Sequence, residues 1–297
     1  MMEIKHLHPS LHAILLLEEE ARINKIQQDS WIGYSRAQCI IAKLEDLLIY
    51  PRVIRMPNLL IVGDTNNGKT ILANRFFVSH KPYLREADQS FIAPIVYCQA
   101  PPKPDEKRFY NNLLDSLFVP YRVSDRVEHK QQQLLNVLRR METKMLIIDE
   151  IHHILAGNLA AQRIFLNVIK YLANELRIVI VGVGTKDALA AINTDPQLSN
   201  RFEPVILPKW TMNEEYLRLL ASMEYLTPLK KPSNLVEYNM SQCILGMSEG
   251  TIGEISTVIK KAAILAIKQG TEQISRKILD SIDYIPPSER KKHFESY

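Results

Sequence analysis

Long apolar runs are missing from this 297-residue chain. The longest stretches of that kind, such as Leu11 to Leu17, fall well short of the roughly 20 residues of a membrane-crossing helix, and no charged, apolar and small-residue succession of a secretory signal opens the sequence. A soluble, cytoplasmic protein with no membrane partner is therefore expected. Cysteine is scarce: Cys39, Cys98 and Cys243 lie far apart and make neither a CxxC pair nor a metal-ligand spacing with the eight histidines, which points to free thiols in a reducing compartment. Neither sign of charge dominates. With 37 Lys and Arg against 33 Asp and Glu the net charge is +4, a balance that permits contact with nucleic acid without arguing for it. Internal repeats, low-complexity tracts, zinc-finger spacings, a helix-turn-helix reader and the aromatic-basic interleaving of a single-strand binder are all absent, so strong sequence specificity is not expected. A hydrophobic fraction of 46% and a charged fraction of 24% are those of an ordinary globular chain, and the length suggests about two domains.

Against that plain background one segment stands out. Gly63-Asp64-Thr65-Asn66-Asn67-Gly68-Lys69-Thr70 directly follows the apolar run Asn58-Leu59-Leu60-Ile61-Val62, the setting of a phosphate loop between a strand and a helix. Glycines let consecutive backbone N–H groups turn onto phosphates, Lys69 reaches the β and γ oxygens, and the Thr70 hydroxyl ligates Mg²⁺. The helix beginning near Lys69, with Ile71 in its first turn, adds its positive dipole end. These residues, 63 to 71, form the expected ATP cradle.

A second segment, Met145-Leu146-Ile147-Ile148-Asp149-Glu150, is a fully apolar strand ending in two acids. Asp149 is expected to hold Mg²⁺, and Glu150 to polarise the water that attacks the γ-phosphate, because phosphoryl transfer depends mainly on positioning and charge stabilisation. Alone, an apolar strand with a polar end is common in buried sheets. Paired with the loop at 63–70 it is not, since the two strands can lie side by side in one sheet. His152 and His153 follow, but without a third ligand at sensible spacing they read as the opening of the next helix rather than a zinc site.

The rest of the chain alternates strands and helices. Helices are expected from Leu11 to about Gln28 and from Ser35 to Leu48, separated by the break Ser30 to Tyr34. Strands are expected at Ile92 to Cys98 and Arg177 to Val183. Helices follow at Asp105 to Leu117, at Gln131 to Glu142, and over the stripe Ile164, Phe165, Val168, Ile169 and Leu172. Strands apolar along their whole length indicate a parallel sheet covered on both faces, with ligands beyond the strand C-termini. From about Lys209 the strand signal ends and helical patterns take over at 213–223, 236–247, 252–270 and 275–282. The expected organisation is an N-terminal helical segment (1–30), an α/β nucleotide-binding core (31–208), a helical lid (209–285) and a polar, frayed tail (286–297).

A phosphate-loop core followed by a small all-helical lid resembles the AAA+ P-loop ATPases. The resemblance implies an adenine-contacting segment at Trp31-Ile32-Gly33-Tyr34, with Ile32 and Gly33 beside the nucleotide. It also implies a polar sensor, Thr185, after Val181-Gly182-Val183-Gly184, and an arginine finger, Arg201, in Asn200-Arg201-Phe202. It departs at Glu254, where many such lids carry an arginine; Lys260 or Lys261 could take its place or simply face solvent. Weak lid coupling then implies a slow switch rather than a fast motor.

More closely, the chain resembles the TniB family, transposition ATPases related to TnsC. The likeness runs over roughly Trp31 to Gly270 and rests on Trp31-Ile32-Gly33-Tyr34, on Met56-Pro57-Asn58 leading into the phosphate loop, and on Ile148-Asp149-Glu150-Ile151-His152. Thr194-Asp195-Pro196-Gln197-Leu198, running on to Arg201-Phe202-Glu203, completes the set. It implies a bacterial, nucleoid-associated regulator that uses ATP and Mg²⁺ and forms a homo-oligomeric ring or helical filament on double-stranded DNA. Its implied partners are a DDE transposase of the TniA or TnsB type and a TniQ-type targeting protein. In TnsC-like proteins the part of the core after the second strand lines the DNA channel, which makes Lys103, Lys107, Arg108, Arg122 and Arg126 the candidate phosphate contacts. Two other readings stay open. One is a replication initiator or helicase loader, for whose usual DNA-reading domain the residues after Ile282 leave no room; the other is a nucleotide-gated scaffold that needs no DNA.

Overall fold

The structure, a computed structural model, describes residues 6–28 and 31–290. In chain order the first elements are α1 (Glu19–Gln27), α2 (Ser35–Leu48), β1 (Asn58–Gly63), α3 (Lys69–Ser79), β2 (Tyr83–Leu84), β3 (Phe91–Ile92) and β4 (Ile95–Gln99). Next come α4 (Glu106–Ser116), α5 (Val127–Arg140), β5 (Met145–Asp149), α6 (Leu159–Leu176), β6 (Val179–Gly184), α7 (Lys186–Asn193), α8 (Pro196–Ser199) and β7 (Phe202–Leu207). The series closes with α9 (Glu214–Tyr225), α10 (Tyr238–Ser248), α11 (Ile252–Lys268) and α12 (Arg276–Ser281). Two compact units result, one spanning 36–208 and the other joining the N-terminal residues up to 35 with those from 209 onward.

The first unit is built on a five-stranded parallel sheet in the order β4-β5-β6-β1-β7. β1, β5 and β6 are buried at every position, as strands covered on both faces must be. The strands bearing the phosphate loop and the acid pair share the sheet but are not neighbours, contrary to the sequence expectation: β6 pairs with both and separates them. Their C-terminal ends still open on the same edge, where open α/β sheets bind ligands. Asp105, Asn158 and Asn213 cap α4, α6 and α9 by accepting the N–H three residues on, each at 2.9 Å.

Several elements differ from the sequence expectation for local reasons. The strand expected over Ile92–Cys98 is cut at Ala93-Pro94. Pro94 has no N–H to give, and β3 turns instead to pair antiparallel with β2. β7 was not foreseen; as an edge strand it buries only Phe202, Val205 and Leu207 and carries the exposed Pro204. Ile164 is exposed, so the buried stripe of α6 is Phe165, Val168, Ile169 and Leu172. His152 and His153 sit in a 3-10 helix, Ile151–Ala156.

In the second unit, α9 to α12 and α1 close around Tyr216, Leu219, Leu220, Ile244, Ile255, Val258, Ile259 and Ile26. The helix expected from Leu11 to Gln28 is two 3-10 turns, Pro9–Leu11 and Ile14–Leu16, followed by α1, because Leu17 and Glu18 are extended. The N-terminal segment, read from the sequence as an element apart, is held by a buried ion pair: Arg22 donates to both oxygens of Glu272 (2.7 and 2.5 Å) and to the Pro228 carbonyl (2.9 Å). The tail expected as frayed is anchored as far as it is described, for Arg290 donates to both oxygens of buried Glu254 (3.0 and 2.6 Å) beside the Tyr284 hydroxyl. The remaining residues, 291–297, lie outside the described part, as do Asp29 and Ser30 of the expected break.

Candidate active site

The loop after β1 is shaped by its backbone. Gly68 adopts φ +80 and Asn66 φ +58, left-handed values that a glycine accepts without strain and an asparagine tolerates. At Gly63 a side chain would meet the Leu207 carbonyl oxygen at 3.1 Å, so the loop can lie against the end of β7 as it does. Asn67 locks that contact by donating to the carbonyls of Leu207 (2.8 Å) and Pro208 (3.1 Å) from a buried position. Thr65, Asn66, Thr70 and Ile71 are exposed on the open side.

Lys69 is buried and folds back so that Nζ donates to the Asp64 carbonyl at 2.7 Å. Burial lowers its pKa, and the charges of Glu150, Asp149 and Asp64, in that order, oppose the shift. The acid pair at the end of β5 thus acts electrostatically on the phosphate-loop lysine. β6 lies between the two strands that carry these motifs.

Asp149 is buried, with each carboxylate oxygen engaged: Oδ2 accepts from the Tyr97 hydroxyl at 2.6 Å and Oδ1 from the Glu150 N–H at 2.8 Å. The next residue, Glu150, stands in the left-handed region at φ +54, a conformation that costs a non-glycine residue on the order of 1 kcal/mol and that recurs at functional sites. It turns the chain sharply out of the strand into the 3-10 helix. The Glu150 Oε2 lies 3.2 Å from His152 Nε2. With His153 these groups bring three side chains able to serve as ligands within 4.8 Å of one another, a cluster that sequence spacing alone did not reveal.

β6 ends at Gly184, whose register partner on β1 is Val62. Thr185 follows half-buried at the start of α7, with its hydroxyl 3.4 Å from Asp187 Oδ2. Lys186 reaches Asp64 of the phosphate loop, Nζ to Oδ1 at 3.2 Å. The end of β6 is thereby tied to the loop.

Arg201 lies elsewhere. Its carbonyl accepts the Asn58 N–H at 2.9 Å, and the register runs from Asn58 opposite Phe202 to Gly63 opposite Leu207. Arg201 is therefore at the N-terminal end of the strands, about 17 Å of strand length from the phosphate loop of its own chain. Its Nη1 donates to Asn174 Oδ1 at 2.6 Å, while Nε is buried without a partner among the described residues.

Comparison with known proteins adds the family. The model of the bacterial TniB protein family matches residues 22–212. The chain belongs to the TniB family. Among solved structures this TniB-family protein is similar to the Aeropyrum pernix ORC2 protein in its ADPNP–ADP complexes, with a TM-score of 0.61 and 16% identity over 90% of this chain and 74% of that one. It is similar as well to Cdc6p from Pyrobaculum aerophilum (0.61, 15%, 87% and 71%) and to Drosophila ORC bound to DNA (0.58, 12%, 89% and 64%). At these identities the likeness establishes the fold, that of AAA+ ATPases. No curated protein sequence matches the chain.

The remaining expected residues of this TniB-family protein belong to both units. Ile32 packs on the apolar centre of the helical unit, where the Tyr34 ring meets Trp210 edge to face at 5.0 Å; Gly33 is exposed. Lys103, Arg108, Arg122 and Arg126 are exposed and Lys107 is half-buried. In the helical unit, Lys260 donates to the Gln27 carbonyl (3.3 Å) and Lys261 to that of Asp283 (2.5 Å). Sequence reasoning missed Tyr97 and Lys186. Tyr97 could have been found as the polar ring in an otherwise apolar strand; Lys186 carries no signal beyond following Thr185.

Proposed function

We propose that this TniB-family protein is an ATP-dependent regulator of DNA transposition that assembles as a homo-oligomer on duplex DNA, selects a target, and recruits or activates a DDE transposase with a TniQ-type partner. The observation that carries the nucleotide part is that the loop with Lys69 and the acid pair Asp149-Glu150 leave the C-terminal ends of β1 and β5 on one edge of one parallel sheet. Family membership carries the biological part.

The donor set fits a magnesium triphosphate. The loop 63–68 and Lys69 would bind the phosphates. The exposed Thr70 hydroxyl and the Asp149 carboxylate, oriented by Tyr97, would hold Mg²⁺, which when bound neutralises phosphate charge. Glu150 is the base for the attacking water, released from His152 for that purpose. Thr185 senses the γ-phosphate from the end of β6. Arg201 cannot reach its own nucleotide from the far end of β7, and so serves a neighbouring subunit, where a fixed planar cation stabilises the transferring phosphoryl group. Its distance from the loop in its own chain is what supports an assembly.

Duplex contact through Lys103, Lys107, Arg108, Arg122 and Arg126 is sequence-independent in this reading. The Drosophila ORC neighbour was solved bound to DNA, but its likeness carries the fold and does not favour an initiator role. The test is binding of random duplex with and without a non-hydrolysable ATP analogue. DNA binding that needs the analogue is expected, and co-purification of a transposase with the protein from its cell supports the partner assignment. Absence of DNA binding at low salt favours the DNA-independent scaffold instead.

A further inference from the structure

We propose that the cleft at the N-terminal end of β1 and β7 is completed by a second copy of this chain, and that Arg55 within it is a second arginine facing that copy's nucleotide phosphates. The inference rests on the intersubunit reading of Arg201 and extends it to a residue and a surface that reading does not contain.

The cleft, ≈ 470 Å³, is lined by Arg55, Arg201, Tyr50, Met56, Gln197 and Asn200, among others. Cations and amide donors therefore gather in one concavity. Glu203 on the same wall is already neutralised by an ion pair with Lys43. Among the described residues Arg55 makes no hydrogen bond or ion pair, whereas nearby Arg52 is committed to the Thr143 carbonyl at 3.2 Å. Arg201 is fixed along one edge by its hydrogen bond to Asn174. The loop that would hold this chain's own phosphates lies at the other end of β1, out of reach of both arginines.

The rim identifies the occupant. Between α2 and β1 the chain leaves Ile49 76%, Ile54 80%, Tyr50 45% and Val53 37% exposed. Clustered exposed apolar side chains mark a protein contact, and arginines without a counter-ion call for phosphates. A second copy presents both, an apolar protein surface and a bound triphosphate, in one body. Free phosphate would leave the apolar strip uncovered.

The test is ATP hydrolysis in the presence of duplex DNA by Arg55→Ala and by Arg201→Ala, each alone and mixed with Glu150→Gln copies that cannot hydrolyse but carry both arginines. Arg55→Ala is expected to lower hydrolysis on the order of a hundredfold, the loss typical of one transition-state donor, with nucleotide affinity unchanged. Mixing should restore part of the activity, because the Glu150→Gln neighbour donates its arginine across the interface. Arg55→Lys keeps the fold and the charge and should recover part of the rate but not the bidentate fit. Ile54→Ser should weaken assembly at least about fivefold by sedimentation, with the circular dichroism unchanged. Normal hydrolysis by Arg55→Ala overturns the proposal. So does a loss that mixing fails to relieve while it does relieve Arg201→Ala. If Arg201→Ala itself hydrolyses normally, the intersubunit reading beneath it fails instead.

Discussion

The Tyr97 hydroxyl donates to Oδ2 of Asp149 at 2.6 Å, from the strand next to β5. The proposed metal carboxylate is thus oriented by a ring that nothing in the spacing of the two phosphate motifs discloses. Burial first, and then this bond, push the phenol well above its ordinary range, so Tyr97 is a hydrogen-bond donor at every working pH. Tyr97→Phe removes one charge-assisted bond, typically ~1.5–3 kcal/mol. The Mg²⁺ concentration giving half-maximal ATPase activity should rise about tenfold or more, while metal-free nucleotide binding is unchanged; a magnesium titration of both proteins checks it.

Lys69→Ala should abolish nucleotide binding and all activity that depends on it. Glu150→Gln should keep ATP bound and hold the assembled state. Equilibrium binding of a fluorescent ATP analogue, followed by sedimentation on duplex, separates the two. Equal loss of binding in both variants would contradict the division of roles.

Asn67 ties the phosphate loop to the last residues of the core. Asn67→Ala leaves the Leu207 and Pro208 carbonyls without that donor and should destabilise the protein by about 1–3 kcal/mol, read in urea denaturation, together with weaker nucleotide binding because the loop loses its brace.

The N-terminal segment of the helical unit depends on the Arg22–Glu272 pair. Hydrogen bonding to Arg22, its largest influence, holds the Glu272 carboxyl below its ordinary value of 4.5. The unfolded chain therefore binds that proton more tightly. The stability supplied by the pair is complete above 4.5 and is lost as pH falls through the lower folded value. Arg22→Ala leaves the buried Glu272 carboxylate only Lys230, whose N–H lies at 3.3 Å and Nζ at 3.7 Å, and should cost about 3 kcal/mol near neutrality, with the acid loss of stability correspondingly flattened. Thermal melts of both proteins across pH 3 to pH 7, a range chosen to bracket the ordinary glutamate pKa, measure it.

What was legible in the sequence follows from how local each signal is. β1, β5 and β6 are apolar at consecutive positions because they are buried on both faces, and such runs can be read directly. The phosphate loop is equally local: Gly68 is needed where φ is +80, and Lys69 follows at once. β7 was hidden because an edge strand exposes Glu203, Pro204 and Ile206, and that pattern reads as loop. The roles of Tyr97, Lys186 and Asn67 were hidden for another reason. Their partners Asp149, Asp64 and Leu207 are distant in sequence, and the sheet order β4-β5-β6-β1-β7 that unites them is not encoded in any one segment. Glu150 is only two residues from His152, but its place beside both histidines depends on the left-handed turn at φ +54, which residue spacing does not show.

In the proposed function, one site that combines Lys69 with Asp149 and Glu150 binds Mg-ATP and thereby switches assembly on duplex DNA. Sedimentation of the protein with random duplex, in the presence and absence of a non-hydrolysable ATP analogue with Mg²⁺, tests it most directly. Large protein–DNA assemblies are expected with the analogue and almost none without it. Assemblies of equal size and amount under both conditions would contradict it.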